Sequence, residues 1–258
     1  MIYMNVFQKV LKRIKGDETL AEERYGEDKL WIAGSDEGKT LKFNDIVYSR
    51  IIKNSIYTGY YWDYFTPLPS LYKKPKVLMI GLGGGTVAMQ LTRIYKKGIK
   101  VDTVEINEKI IKLAKKFLGN DAKKFKILLD DGAKYIKRAS GYDVVILDAY
   151  EADYIPEVFL GEEFVKDAFN ALSDDGILAI NYALNFKAFI NLQSYLYRLE
   201  RLFKVYEIRP LLSGNIIVIA SKRLEKEAIV EQIKKNFKMT KENHGVIEQY
   251  EGMKSSKE

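Results

Sequence analysis

Residues 77–95 read VLMIGLGGGTVAMQLTRIY. Four apolar residues, Val77 to Ile80, run straight into glycines at 81, 83, 84 and 85, and an apolar-periodic segment begins at Thr86. A short apolar run without polar alternation fits a strand buried on both faces, and the spacing after Thr86 fits a helix. In a wound α/β sheet, a glycine loop between such a strand and helix lets the backbone approach a ligand closely. The stretch therefore predicts a strand, a ligand loop and a helix, with Gly81, Gly83, Gly84 and Gly85 as candidate cofactor-binding positions.

Working outward, apolar runs recur downstream as VDTV (101–104), FKILL (125–129), YDVVIL (142–147) and GILAIN (176–181). Amphipathic segments such as NEKIIKLAKKFL (107–118) and GEEFVKDAFNAL (161–172) separate them. That alternation predicts a parallel sheet with helices on both faces. Two last runs, KVYEI (204–208) and NIIVIAS (215–221), are joined by only RPLLSG. So short a joint cannot make a parallel crossover, and the pair is expected to be antiparallel. The layout is that of the Rossmann-like, seven-stranded class I methyltransferase fold, α/β with a mostly parallel sheet and an antiparallel last strand.

Upstream, Val6, Phe7, Val10, Leu11 and Ile14 stand at helical spacing, and KLWIAGSDEGKTLKFNDIVYSRII (29–52) reads as a hairpin or small meander around turn residues. An aromatic, proline-punctuated segment, YTGYYWDYFTPLPSLYKKP (57–75), follows as a link. The expected organisation is residues 1–70 as an N-terminal helix, small β subdomain and linker, 71–222 as the ligand-binding domain, and 223–258 as a charged tail with one helical stretch, fraying at its end.

Composition narrows the chemistry. With 258 residues, 47% hydrophobic, the chain can bury a real core. It has no cysteine and a single histidine, His244, in a polar segment, which removes disulfides, thiolate catalysis, a histidine triad and Cys- or His-based metal sites. No metal is expected. No apolar run reaches the ~20 residues of a membrane span and no secretory signal leads the chain, so a soluble cytoplasmic protein without membrane contact is expected. The net charge of +7 is interspersed with acids. Its densest patch, Lys112, Lys115, Lys116, Lys123, Lys124 and Lys126, has spacings of a solvated face, so nucleic acid is not the expected partner. Abundant Lys, Glu, Ile and Tyr suit a thermophile.

The strand ends then indicate what the loop holds. A dinucleotide fingerprint needs a third glycine where Thr86 stands. Glu105 closes the second strand, where a carboxylate accepts hydrogen bonds from a ribose diol of either an NAD or an adenosyl ligand. Asp131 followed by Gly132 suits an adenine amine, and Asp148 with Glu151 forms an acidic cluster after the fourth strand. Together these favour an S-adenosyl sulfonium ligand. Taken singly, each piece has a plainer role: the glycines as a tight turn, Glu105 as a complement to a helix dipole, Asp131 as an N-cap.

On VLMIGLGGGT, VDTVEIN, DDGAKYI and YDVVILDAY, residues 75–221 resemble the spermidine synthase family of polyamine aminopropyltransferases. The resemblance implies decarboxylated S-adenosylmethionine as donor, a small amine or polyamine as acceptor, 5'-methylthioadenosine as leaving group, and a homo-oligomer. By position it implies Glu105 on the ribose, Asp131 on the adenine, Asp148 as the group that orients and deprotonates the amine, Glu151 as its acidic companion, and Tyr61 and Asp63 as the family's tyrosine and acid in the catalytic site. The chain departs from the family in three places. Gly84 stands where the family carries an Asp that holds the donor's amino group, Leu211 stands where it has a pocket Tyr, and DAYEAD lacks the family's proline. A site that lost its amino anchor admits a carboxylated donor. The readings are thus an aminopropyltransferase-like enzyme, an S-adenosylmethionine-dependent methyltransferase, and a non-catalytic nucleotide-binding relative.

Overall fold

The computed structural model describes residues 18–151, 154–184, 186–210 and 214–256. The helix expected over residues 1–15 and the departure at Leu211 lie outside them.

Four strands open the described chain: β1 (Glu18–Tyr25), β2 (Asp28–Ser35), β3 (Gly38–Phe43) and β4 (Ile46–Ile52). They form an antiparallel meander in chain order. The turn residues explain the tight connections. Asn44, for example, takes a left-handed φ of 50°, a conformation Asn tolerates better than most residues. β1 precedes the segment expected to form strands, because the run ETLAEERY is too polar to stand out. Leu30, Ile32 and Leu41 bury one face of the meander against Met89, Leu113 and Phe117.

The larger sheet uses β5 (Lys76–Ile80), β6 (Lys100–Glu105), β7 (Lys126–Leu129), β8 (Tyr142–Leu147), β9 (Leu172–Ala183), β10 (Lys204–Ile208), β11 (Asn215–Ser221) and β12 (Lys254–Ser255). Its order is β12-β10-β11-β9-β8-β5-β6-β7. β5 to β9 pair in parallel, and β11 runs antiparallel to both β9 and β10, as the short joint requires. The helices are α1 (Thr86–Tyr95), α2 (Glu108–Leu118), α3 (Gly132–Ile136), α4 (Glu162–Ala171), α5 (Phe186–Glu200), α6 (Lys226–Asn236) and α7 (His244–Glu251). Both faces of the sheet are covered. Val77, Met79, Val144 and Ile146 enter one core, while Leu78, Ile80, Val145 and Leu147 enter the other. This double burial is why the strands read as unbroken apolar runs.

The C-terminal region corrects the expected fraying tail with one helix. It holds two helices and a strand, and β12 adds an eighth, two-residue member to the expected seven strands. Ile229, Ile233, Tyr250 and Met253 are buried with Trp62, Tyr64 and Phe65 of the aromatic segment. Tyr250 Oη donates to Tyr64 O at 2.6 Å, and Asn243 Nδ2 donates to Tyr57 Oη at 2.8 Å. The apolar residues are sparse in this charged region but fall on one side of each helix, and the aromatic segment supplies the surface they cover. In the lysine-rich patch, Lys112 pairs with Glu23 and Lys124 with Asp121. No helix among the described residues is long and apolar enough to cross a membrane.

Candidate active site

β5 has β6 on one side and β8 on the other, so the connections leaving its end and that of β8 diverge and open a crevice, the usual ligand position in a wound sheet. The meander and the aromatic segment close it into a cavity of about 1130 Å³. Gly81 and Gly83, Glu105, Asp131 and Gly132, Asp148 and Glu151, and Tyr61 all line this one space. Residues spread over 90 positions of sequence meet because each stands at or just past the carboxyl end of a strand, or in the segment laid across those ends.

Glu105 ends β6 as a buried carboxylate. Its Oε2 accepts the Leu82 N–H at 3.1 Å and its Oε1 the Asn107 N–H at 2.9 Å. Burial pushes this carboxyl above its ordinary range, while those backbone N–H groups favour the charged form. The Ile106 and Gly83 N–H groups also lie close enough to favour its charge, and the carboxylate's four lone-pair sites allow it to accept from a diol as well. Asp131 serves as the N-cap of α3, its Oδ1 accepting from Ala133 N at 2.9 Å and Lys134 N at 3.3 Å. The plainer role and the ligand-facing one are therefore compatible, because capping uses a single oxygen. Gly132 follows as a true space requirement, since a Cβ there would lie 2.4 Å from Ile80 Cγ2.

Asp148 follows β8 directly, and its N–H donates to Ile80 O at 2.9 Å. Its Oδ1 accepts from Asn181 Nδ2 at 2.8 Å and, more weakly, from Tyr61 Oη at 3.4 Å. Among the described residues Oδ2 accepts no hydrogen bond. Burial against the cavity walls raises the Asp148 carboxyl to about 6, although both hydrogen bonds favour ionisation. The same burial, and then the nearby Asp148 charge, raise the Tyr61 hydroxyl far above its usual value, so Tyr61 is a donor here. Glu151 lies exposed at the rim, its backbone paired with Tyr154.

Sequence reasoning missed several residues. Asn181 and Asn215 both line the cavity, and Asn215 Nδ2 donates to Asn181 Oδ1 at 2.6 Å. That bond orients the Asn181 amide so that its NH₂ faces Asp148. The available signal was a polar residue inside the apolar run GILAIN. Arg50, Tyr60 and Trp62 also reach the cavity, from segments read only as strand and link.

Three candidate residues do not line the cavity. Asp63 is buried with its carboxylate bound to Thr58 N at 2.9 Å, Gly59 N at 2.7 Å and Gln90 Nε2 at 2.5 Å. It holds the turn that presents Tyr60, Tyr61 and Trp62, and its oxygens are engaged away from the cavity wall where a catalytic acid was expected. Gly84 and Gly85 belong to the packing behind the loop. A Cβ on Gly85, whose φ is +80°, would lie 2.8 Å from Leu118 Cδ1. The Gly84 N–H donates to Ser49 Oγ at 2.6 Å, and a Cβ there would lie 2.6 Å from Ser49 Cβ and 2.9 Å from the Phe117 ring. A side chain at 84 would thus enter the contact between meander and α2. Gly84→Asp is expected to destabilise the protein by about 3 kcal/mol, from overpacking and an unpaired carboxylate, with no gain in donor discrimination. Thermal denaturation and donor titration of the variant check this; a folded variant with sharpened preference for the decarboxylated donor would contradict it.

Among the described residues, no group of three or more His, Cys, Asp or Glu side chains is arranged to hold a metal ion. The arrangement offers a closely approachable loop, two strand-end carboxylates on the cavity wall, and a partly buried carboxylate fixed by Asn181 and Tyr61.

A sequence model of the family described as the Spermine/spermidine synthase domain matches residues 64–232. A polyamine aminopropyltransferase of Neisseria meningitidis serogroup A is 32% identical over 164 residues, 62% of this chain and 61% of that protein. The match therefore spans less than two thirds of that relative's length. In structure, the chain is similar to a probable spermidine synthase from Corynebacterium glutamicum, with a TM-score of 0.68 at 18% identity, covering 84% of this chain and 87% of the other. It is also similar to human methyltransferase-like protein 13, with a TM-score of 0.55 at 20% identity, covering 72% and 88%. These two likenesses concern the fold, the class I methyltransferase fold expected from the order of elements.

Proposed function

This chain belongs to the spermine/spermidine synthase domain family, and on that premise we propose that it is a transferase that moves an aminopropyl group from an S-adenosyl sulfonium donor to a small amine or polyamine. The observation that carries the reading is the Asp148 carboxylate, oriented by Asn181 and Tyr61 on the same cavity as Gly81, Gly83 and Glu105. The donor, decarboxylated S-adenosylmethionine in relatives of this kind, supplies a carbon activated by its positively charged sulfur. Everything else falls to the chain. Gly81 and Gly83 give the donor a wall without side chains. Glu105 accepts the ribose hydroxyls, and Asp131, through the oxygen its cap leaves over, accepts from the adenine amine.

An amine is a nucleophile only when unprotonated, so a group near the nitrogen must take up the proton it loses. Asp148 does so on Oδ2, since Oδ1 is engaged by Asn181 and Tyr61. Glu151, exposed at the rim, attracts a cationic amine before the reaction. The same reading carries a cytoplasmic homo-oligomer that needs no metal, and light scattering tests the oligomer.

Binding of 5'-methylthioadenosine by calorimetry tests the adenosyl site. Glu105→Gln removes the charge from the diol's acceptor and is expected to weaken binding about ten- to hundredfold. Glu105→Ala is the poorer test, because it also strips the Leu82 and Asn107 N–H groups of their acceptor. Unchanged affinity in Glu105→Gln would remove the assignment. In turnover assays, release of 5'-methylthioadenosine marks aminopropyl transfer, and release of S-adenosylhomocysteine marks methyl transfer.

A further inference from the structure

A cavity meant only for cations should not contain an uncompensated guanidinium, yet Arg50 lines this one. Its backbone is clamped to the start of α1, with Arg50 N–H donating to Thr86 Oγ1 at 3.2 Å and Thr86 Oγ1 donating to Arg50 O at 3.0 Å. The guanidinium therefore springs from a fixed point beside the glycine loop. It lies over the Tyr60 ring, 5.3 Å from the centroid, and Nη1 donates to Tyr60 Oη at 2.9 Å. The described residues give it no carboxylate partner, and the rest of its planar donor fork is unused there. Lys42, the other cation on the wall, lies against Trp31 instead. Carboxylates such as Glu105, Asp148 and Glu151 line other parts of the wall and suit cationic groups there, but a cationic group placed beside Arg50 would meet like charge in a partly desolvated space. A guanidinium fork is matched by a carboxylate, which it binds through two parallel hydrogen bonds.

We propose that Arg50, braced by Tyr60, is a carboxylate-recognition subsite at the glycine-loop end of the cavity, so that one of the small molecules bound there carries a carboxylate. This inference deepens the reading of the adenosyl site and rests on it. The carboxylate belongs either to the donor, as in intact S-adenosylmethionine, in which case the group transferred is methyl or 3-amino-3-carboxypropyl in place of aminopropyl, or to the acceptor, as in an amino acid with a second amine. Position 84 offers no competing group, because its side-chain direction points away from the cavity.

Calorimetry on wild type, Arg50→Gln and Arg50→Lys separates the sources. In one arm, each protein is titrated with S-adenosylmethionine, its decarboxylated form and 5'-methylthioadenosine. In the other, ornithine is compared with putrescine, the same diamine without the carboxylate, in the presence of saturating 5'-methylthioadenosine. The expected result is that Arg50→Gln weakens a carboxylate-bearing ligand tenfold or more and leaves 5'-methylthioadenosine unchanged. Arg50→Lys should retain part of that affinity. A loss confined to S-adenosylmethionine assigns the carboxylate to the donor, and a loss confined to ornithine assigns it to the acceptor. If Arg50→Gln changes neither the donor ratio nor the amine ratio, or weakens all ligands equally, the proposal is overturned. Should Arg50→Gln fail to fold, Arg50→Lys with unchanged ratios overturns it and with reduced ratios supports it. Should wild type bind no adenosyl compound, the reading of the adenosyl site fails, and ornithine against putrescine on the protein alone decides Arg50; binding of neither overturns the proposal too.

Discussion

Asp148→Asn is expected to stop turnover while making the protein more stable. The side chain keeps its shape and its place after β8, but its amide cannot accept the amine's proton. Loss of a general base typically lowers rate by about two to four orders of magnitude. The stability gain follows from the raised carboxyl. Its folded-state value of about 6 lies above the ordinary 3.8. Between those two values the folded state holds a proton that the unfolded state has released. Stability therefore falls as pH rises from about 4 to about 6, and the loss is complete above the folded value. Asn carries no such loss. At neutral pH the gain corresponds to about 1–3 kcal/mol, at about 1.4 kcal/mol per pK unit and discounted for water reaching the cavity. Thermal denaturation at pH 4 and pH 7.5 checks it. The variant's advantage should be largest at pH 7.5 and shrink toward pH 4, while donor binding stays within a few-fold of wild type. A variant that is no more stable at pH 7.5 would mean that folding does not raise the Asp148 carboxyl. In wild type, turnover should rise with pH through about 6 as Asp148 ionises.

Gly81→Ala is expected to cost the protein about 4 kcal/mol through a single methyl group. Gly81 leaves β5 with φ at +93°, and an added Cβ would lie 2.3 Å from Asp148 O, 2.7 Å from its carbonyl carbon and 2.9 Å from Ala149 Cα. All three are backbone atoms held by the β5/β8 pairing, so they cannot swing aside. The left-handed conformation costs about 1–2 kcal/mol and overpacking another 1–3 kcal/mol. A total near 4 kcal/mol takes a large share of ordinary domain stability. The expected result is a fall in Tm of several degrees or loss of folded protein, and in any folded fraction a displaced Asp148. Gly98→Ala is the control, since nothing lies within 4 Å of a Cβ at that position. It should stay within about 0.5 kcal/mol of wild type. Equal effects at the two positions would refute the account of the loop.

Those variants separate what a linear reading reaches from what it does not. VLMI, VDTV and YDVVIL were legible as strands because burial on both faces leaves a pattern in the residues themselves. Strand ends in a wound sheet converge by topology, so Glu105, Asp131 and Asp148 could be named together before any distance was known. The meander was legible from its turns, and β1 was not, because an exposed edge strand needs no apolar residues. The end of the chain was misread because its few apolar residues, Ile229, Ile233 and Tyr250 among them, gain meaning only from the aromatic surface they cover.

The amino-acid sequence by itself determined the order of strands and helices, the place of the ligand loop and the set of carboxylates at the strand ends. Tertiary structure alone decided which way each group points and what already occupies it. Gly84 meets Ser49 and Phe117 behind the loop, Asp63 gives its oxygens to Thr58, Gly59 and Gln90, and Asn181 becomes the partner of Asp148. Arg50, from a strand of the meander, reaches the cavity of the other sheet. The physical reason is the range of the forces involved. Periodicity records whether a position is buried, a property that local sequence carries, whereas a hydrogen bond depends on angstrom-scale placement of two groups that the chain brings together from positions tens of residues apart.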